Sequence, residues 1–147
     1  MALPTRSLTS ANAVFLLTIT GLYDIPVSIQ GFSSDTAFTE DALITTEAVM
    51  GVDGHMSAGV VLHPTKMKIS IMPDQPSIEI FNTWHQAQQL SRTVFFADGI
   101  IELPSTLKTY TLNRGVLTSM KQVPDAKKML STQEFEITWE SISVAEV

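Results

Sequence analysis

Glu134-Phe135-Glu136-Ile137-Thr138-Trp139-Glu140 alternates without interruption, with Phe135, Ile137 and Trp139 on one side and Glu134, Glu136, Thr138 and Glu140 on the other. Successive side chains of an extended chain point to opposite faces, so this stretch predicts a strand with one face buried and one in water. A second stretch of the same kind lies at residues 66–71, where Met67, Ile69 and Ile71 share one face and Lys66, Lys68 and Ser70 the other. Two half-buried strands need a common core, and the rest of the chain supplies more of them.

Residues 13–20 form an apolar, β-branched run that reads as a buried strand. Residues 21–24 read as a turn, and residues 26–30 as the returning strand of a hairpin. Further strands are predicted at residues 59–63, 95–103, 109–112 and 116–119, with Asn113-Arg114-Gly115 as a turn between the last two. A loop with Pro124 and two lysines follows at residues 122–128. Between residues 77 and 94 the pattern changes: Ile80, Phe81, Trp84, Ala87, Leu90 and Val94 recur at helical spacing, with Ser77 placed to cap the first turn.

The fold class expected is therefore mainly β, a β-sandwich or barrel of about seven or eight strands in a single domain spanning residues 1–147. One α-helix, about residues 77–94, flanks it, and a long loop or hairpin occupies about residues 36–60. Ile69, Ile71, Ile80, Trp84, Phe135, Ile137 and Trp139 are the expected core. Gly51 and Gly54 bracket the tight turn in the long segment, because glycine adopts positive φ without steric cost.

Charged residues are only 16% of the chain against 44% apolar, below the roughly 25% charged of an ordinary soluble domain. Such a surface suits a subunit that spends its life against copies of itself. The charge is also lopsided: residues 1–65 hold six acids and one base, for −5, and residues 66–147 nine acids and eight bases, for −1. An acidic first half excludes a phosphate-gripping nucleic-acid binder, which needs clustered Lys and Arg. The chain has no cysteine, so disulfides and thiol chemistry are excluded. No leader of the secretory type and no stretch long enough to span a membrane is read in it.

Catalytic motifs are missing. His55, His63 and His85 stand in no metal-ligand spacing, and there is no nucleophile elbow or phosphate-binding loop. Asp53, between glycines, lacks the ligand series of a calcium loop and reads as a turn residue. Glu134 and Glu136 point the same way from a flat strand, which makes a poor acid–base cleft. No cofactor, no metal and no enzymatic activity are expected.

The order of features resembles a known family. An early strand pair, a long acidic segment closing on Met50-Gly51-Val52-Asp53-Gly54, a strand, a helix, further strands and the closing Glu134–Glu140 stretch are similar to bacteriophage tail tube proteins, especially those of contractile tails. The resemblance runs from about residue 12 to 142. It implies hexameric rings of this chain stacked into a tube, with DNA passing through the channel unbound and with sheath, baseplate and tape-measure proteins as partners. It implies a place in the virion tail, assembled in the host cytoplasm, with no membrane involved.

In such a tube the long segment reaches from ring to ring, which makes Phe38, Glu40, Asp41, Glu47, Met50, Asp53, His55 and Met56 candidates for that contact. Asp24, Glu134, Glu136 and Glu140 are candidates for an acidic channel lining, which would repel phosphate. Two other readings compete: a tube-like baseplate initiator or tail connector ring, and a monomeric β-sandwich that binds a ligand.

Overall fold

The computed structural model describes residues 13–30, 38–104 and 106–146. The opening residues, in which no leader was read, and residues 36–37, with which the long segment begins, lie outside these. In the described residues nine strands and one helix follow one another. They are β1 (Val14–Ile19), β2 (Tyr23–Ile29), β3 (Phe38–Glu40), β4 (Thr46–Met50), β5 (Met56–Val60), β6 (Thr65–Ile71), α1 (Ile78–Ser91), β7 (Ala97–Leu103), β8 (Lys108–Met120) and β9 (Gln133–Glu146). Seven strands form one antiparallel sheet in the order β2-β1-β7-β8-β9-β6-β3, and β4 and β5 form a separate hairpin.

The sheet curls strongly. Phe38, on the border strand β3, meets Phe15, on β1 beside the opposite border, edge to face with ring centroids 6.4 Å apart. The two borders do not pair, so the result is a rolled open sheet and not a closed barrel. Its inner face carries Phe15, Leu17, Ile19, Met67, Ile69, Ile71, Ile101, Leu112, Phe135, Ile137 and Trp139, all buried. The alternation of β9 is the cause: Phe135, Ile137 and Trp139 point inward from between two paired neighbours, β8 and β6.

Helix α1 adds Ile78, Phe81 and Trp84 to this core. The Phe81 ring stacks on Phe135 at 4.3 Å between centroids, and Trp84 Nε1 donates to the Phe95 carbonyl at 3.0 Å. Each such large side chain contributes roughly 1.5–3 kcal/mol by leaving water, which is why three buried positions suffice to hold a helix of modest amphipathicity. Ile80 is half-buried, but Leu90 is exposed and Val94 lies beyond the helix, also exposed. Helical spacing overestimates the buried face, since only Ile78, Phe81 and Trp84 of the helix are buried. It ends where Arg92 turns left-handed, with φ 55° and its N–H on the Gln88 carbonyl.

Ser77 does not cap the helix. It has helical φ and ψ and is buried, and its Oγ accepts from the Gln30 N–H at 2.8 Å, tying α1 to the end of β2. The returning strand predicted at residues 59–63 is β5, which lies earlier, at Met56–Val60. Ser70, assigned to the wet face of its strand, is buried.

The predicted turn at residues 113–115 is also overturned. β8 runs through as one strand with a bulge, Arg114 adopting φ 47° while the pairing with β7 shifts between Leu112 and Gly115. The Asp98 carboxylate accepts the Arg114 N–H at 3.0 Å, and the guanidinium lies 4.3 Å from the centre of the Phe96 ring. Gly115 is required because the Trp139 indole lies against its Cα: an added Cβ would stand 2.5 Å from Cζ3 and 2.8 Å from Cδ2.

Candidate functional site

The long segment folds as the β4–β5 hairpin. Five residue pairs, Thr46 with Val60 through Met50 with Met56, set its register. Its turn is closed by the Gly51 N–H on the His55 carbonyl at 2.8 Å and the Gly54 N–H on the Gly51 carbonyl at 3.0 Å. Gly54 has φ 87°, and Asp53 Oδ1 accepts the His55 N–H at 3.1 Å.

Directly paired residues share a face, so Thr46, Ala48, Met50, Met56, Ala58 and Val60 form one side, apolar but for Thr46. Glu47, Val49, Ser57 and Gly59 form the other. Every residue of both strands is exposed, and Val60 is 84%, Met50 64% and Met56 63% open to solvent. An isolated two-stranded hairpin is marginal in water, and one with an uncovered apolar side marks a contact surface.

Of the other residues expected on this segment, Phe38 and Glu40 belong to β3, which pairs with β6, and the Asp41 N–H bonds to the Lys66 carbonyl. They anchor the arm; Glu47, Met50, Asp53, His55 and Met56 lie on it. At its foot an open groove of about 780 Å³ is lined by Leu43, Ile44, Val60, Leu62, Tyr110 and Ile142, among others. Glu40, His63 and Glu140 also border the groove.

Glu134, Glu136 and Glu140 share the outer face of β9. Glu136 accepts from Thr118 Oγ1 at 3.0 Å, and Glu140 pairs with Arg114 at 3.9 Å. Asp24 is exposed on β2, four strands away in the sheet order, accepting the Gly21 N–H at 3.0 Å. Sequence reasoning placed Lys66 and Lys68 on a wet face but not in the same patch. Lys68 stands opposite Glu136, Lys66 opposite Thr138 and Ser70 opposite Glu134, so bases and acids alternate across this face. Pairing register, which brings β6 and β9 together across the helix, is what a linear reading lacks.

His55 and His63 are exposed, and His85 Nε2 lies 2.9 Å from Gln122 Nε2. Among the described residues no three His, Asp or Glu side chains converge as a metal site would need, and no helix is long and apolar enough to cross a membrane. What the geometry offers is surface: an uncovered arm, an apolar groove and a mixed-charge sheet face.

A family model described as tail fiber protein gp32 matches residues 6–143. None of the curated proteins matches in sequence. Among solved structures, a chain of the anti-feeding prophage cap, the tube terminating cap, is similar with a TM-score of 0.62 and 18% identity, over 100% of this chain and 94% of that one. A chain of the extracellular contractile injection system PVC sheath–tube complex in its extended state is similar with a TM-score of 0.62 and 17% identity, over 98% and 93% of the two chains. A chain of the anti-feeding prophage baseplate is similar with a TM-score of 0.55 and 15% identity, over 100% and 99%. At these identities the likeness is one of fold.

Proposed function

The chain belongs to the tail fiber protein gp32 family, and on that premise we propose that it is a non-enzymatic structural subunit that assembles into stacked hexameric rings, forming the DNA channel of a phage tail tube. The observation that carries this is the β4–β5 arm. Its apolar face has no cover among the described residues, and an arm built this way is stable only against a neighbour. Burying Met50, Met56 and Val60 contributes roughly 5–9 kcal/mol per arm, at roughly 1.5–3 kcal/mol for each side chain, before the cost of association. Six arms acting together in a ring would multiply that gain.

The family's description names a tail fiber, while the fold is shared with chains from tube-cap, sheath–tube and baseplate assemblies. A small rolled sheet with a projecting arm suits ring stacking, and we favour the tube for that reason. A ring at the end of the tube is the second reading, supported by the likeness to the terminating cap. On the tube reading the outer face of β9 borders the channel. Its carboxylates Glu134, Glu136 and Glu140 stand among Lys66, Lys68 and Arg114, so DNA would slide for want of a basic excess and not through net repulsion.

The test is to replace residues 42–62 by a short linker, which keeps β3 paired to β6. The full-length chain should give rings and tubes of uniform width by negative-stain microscopy and sedimentation, and the shortened chain should stay folded without stacking. A full-length chain that remains monomeric at every concentration and salt, or a shortened chain that still forms tubes, overturns the proposal.

A further inference from the structure

The connection between β8 and β9, residues 121–132, forms a braced lobe. Lys121 Nζ meets Asp125 Oδ2 at 2.7 Å, the Asp125 N–H donates to Ser131 Oγ at 3.1 Å, and the Ser131 N–H donates to the Asp125 carbonyl at 3.1 Å. Ala126 bridges Leu130, and from below the buried Gln133 amide donates to the Lys121 and Gln122 carbonyls at 2.9 and 3.1 Å. These internal bonds brace the lobe without a partner.

What the lobe presents outward is unsatisfied. Val123, Met129 and Leu130 are 72%, 78% and 53% exposed. Lys127 and Lys128 are exposed, and neither has an ion-pair partner within 4 Å among the described residues, although Lys127 acts on the Asp125 carboxylate from a longer distance. The hairpin presents the complement: Met50, Val52 and Met56 exposed, with Asp53 at the turn outside any ion pair among the described residues. Residues 1–65 contain a single Lys or Arg, Arg6, so the hairpin's own half of the chain offers its acids almost no base.

The two surfaces also lie at opposite ends of the molecule. The lobe follows Met120 and Phe135 at one end of the β8–β9 pair, whereas the hairpin's foot borders Tyr110, Ile142 and Val144 near the other. The strand between Phe135 and Val144 spans about 30 Å. In the structure the hairpin strands stand exposed, and so do Val123, Met129 and Leu130 of the lobe, so neither surface covers the other within one chain. Docked on another copy, the hairpin leaves a free lobe at one end and a free hairpin at the other, so the contact repeats head to tail.

We propose that the β8–β9 lobe is the seat of a second copy's β4–β5 hairpin, with Met129 and Leu130 covering its apolar side and Lys127 and Lys128 facing Asp53 at its turn. This rests on the reading of the hairpin as an assembly arm. The lobe's rigidity lowers the ordering cost of docking, and methionines on both sides let the surfaces adapt to each other.

Lys127→Glu/Lys128→Glu should raise the concentration needed for stacking about tenfold or more at low salt, with the gap narrowing as salt rises. Adding Asp53→Lys to that variant should recover part of the loss. Because the chain has no cysteine, a Val52→Cys chain mixed with a Met129→Cys chain and treated with a short bismaleimide should give mainly the mixed product. Unimpaired stacking of the lobe variant, failure of Asp53→Lys to recover any of the loss, or only same-site cross-links overturns the proposal. If the lobe variant stacks normally while the chain lacking residues 42–62 does not, the seat is wrong and the arm stands. If both stack normally, the arm reading falls too.

Discussion

Gly115→Ala adds one methyl group where the Trp139 indole already lies. The new Cβ would be 2.5 Å from Cζ3 and 2.8 Å from Cδ2, well inside the roughly 3.5–4.0 Å of a relaxed carbon contact. Trp139 is fully buried, and β9 is fixed between β8 and β6, so neither can retreat cheaply. Overpacking of this kind costs about 1–3 kcal/mol. Gly115 does not have a left-handed φ, so no backbone strain adds to this, and the smaller unfolded-state entropy of Ala offsets about 0.4–1 kcal/mol.

At about 2–4 °C per kcal/mol for a chain of this size, the midpoint of thermal unfolding of the monomer should fall by up to about 10 °C. Gly59→Ala, where nothing lies within 4 Å of the added Cβ, should leave the midpoint unchanged or slightly raised. Trp139→Phe removes the clashing ring together with an indole N–H that is buried without a hydrogen-bond partner. In that background Gly115→Ala should cost less than about 0.5 kcal/mol by urea denaturation, within the range expected for non-interacting sites. An equal cost with Trp139 and with Phe would refute the reasoning, because the penalty would not come from the indole.

Two further outcomes follow from local geometry. The Lys121 ammonium, first by its hydrogen bond and then by its charge, holds the Asp125 carboxyl below the ordinary carboxylate range. A depressed folded pKa means that the brace contributes above that range and is lost as pH falls through the folded value. The Asp125 and Ser131 resonances should therefore titrate with a midpoint below that of an ordinary aspartate by NMR, and Lys121→Met should move it upward. Arg92→Gly, at the left-handed end of α1, should raise monomer stability by about 0.5 kcal/mol, because glycine carries no Cβ penalty at φ 55°; unfolding curves would show it.

Strands with one dry face were legible residue by residue, because burial writes a period of two into β6 and β9. The hairpin was legible as a long loop or hairpin around the turn from Gly51 to Gly54, but its strands were not placed, since strands exposed on both sides leave no alternation to read. Asn113-Arg114-Gly115 is good turn chemistry, and only the Trp139 ring across the sheet shows that Gly115 serves close packing inside a continuous strand. Ser77 looked like a cap because its partner, the Gln30 N–H, is 47 residues away in sequence. The acidic face of β9 was visible, but the lysines of β6 beside it emerge only from strand register. The lobe read as a loop with Pro124 and two lysines, and its uncovered Val123, Met129 and Leu130 needed the structure.

Amide hydrogen exchange of the hairpin, compared between dilute monomer and assembled particle, tests the central claim most directly. In the monomer, β4 and β5 amides should exchange close to the unprotected rate, while those of β8 and β9 are held by global stability. On assembly the β4–β5 amides should slow by orders of magnitude, and the core amides should change little. Hairpin amides that exchange as fast in the particle as in the monomer would contradict the claim that this arm joins one copy to the next.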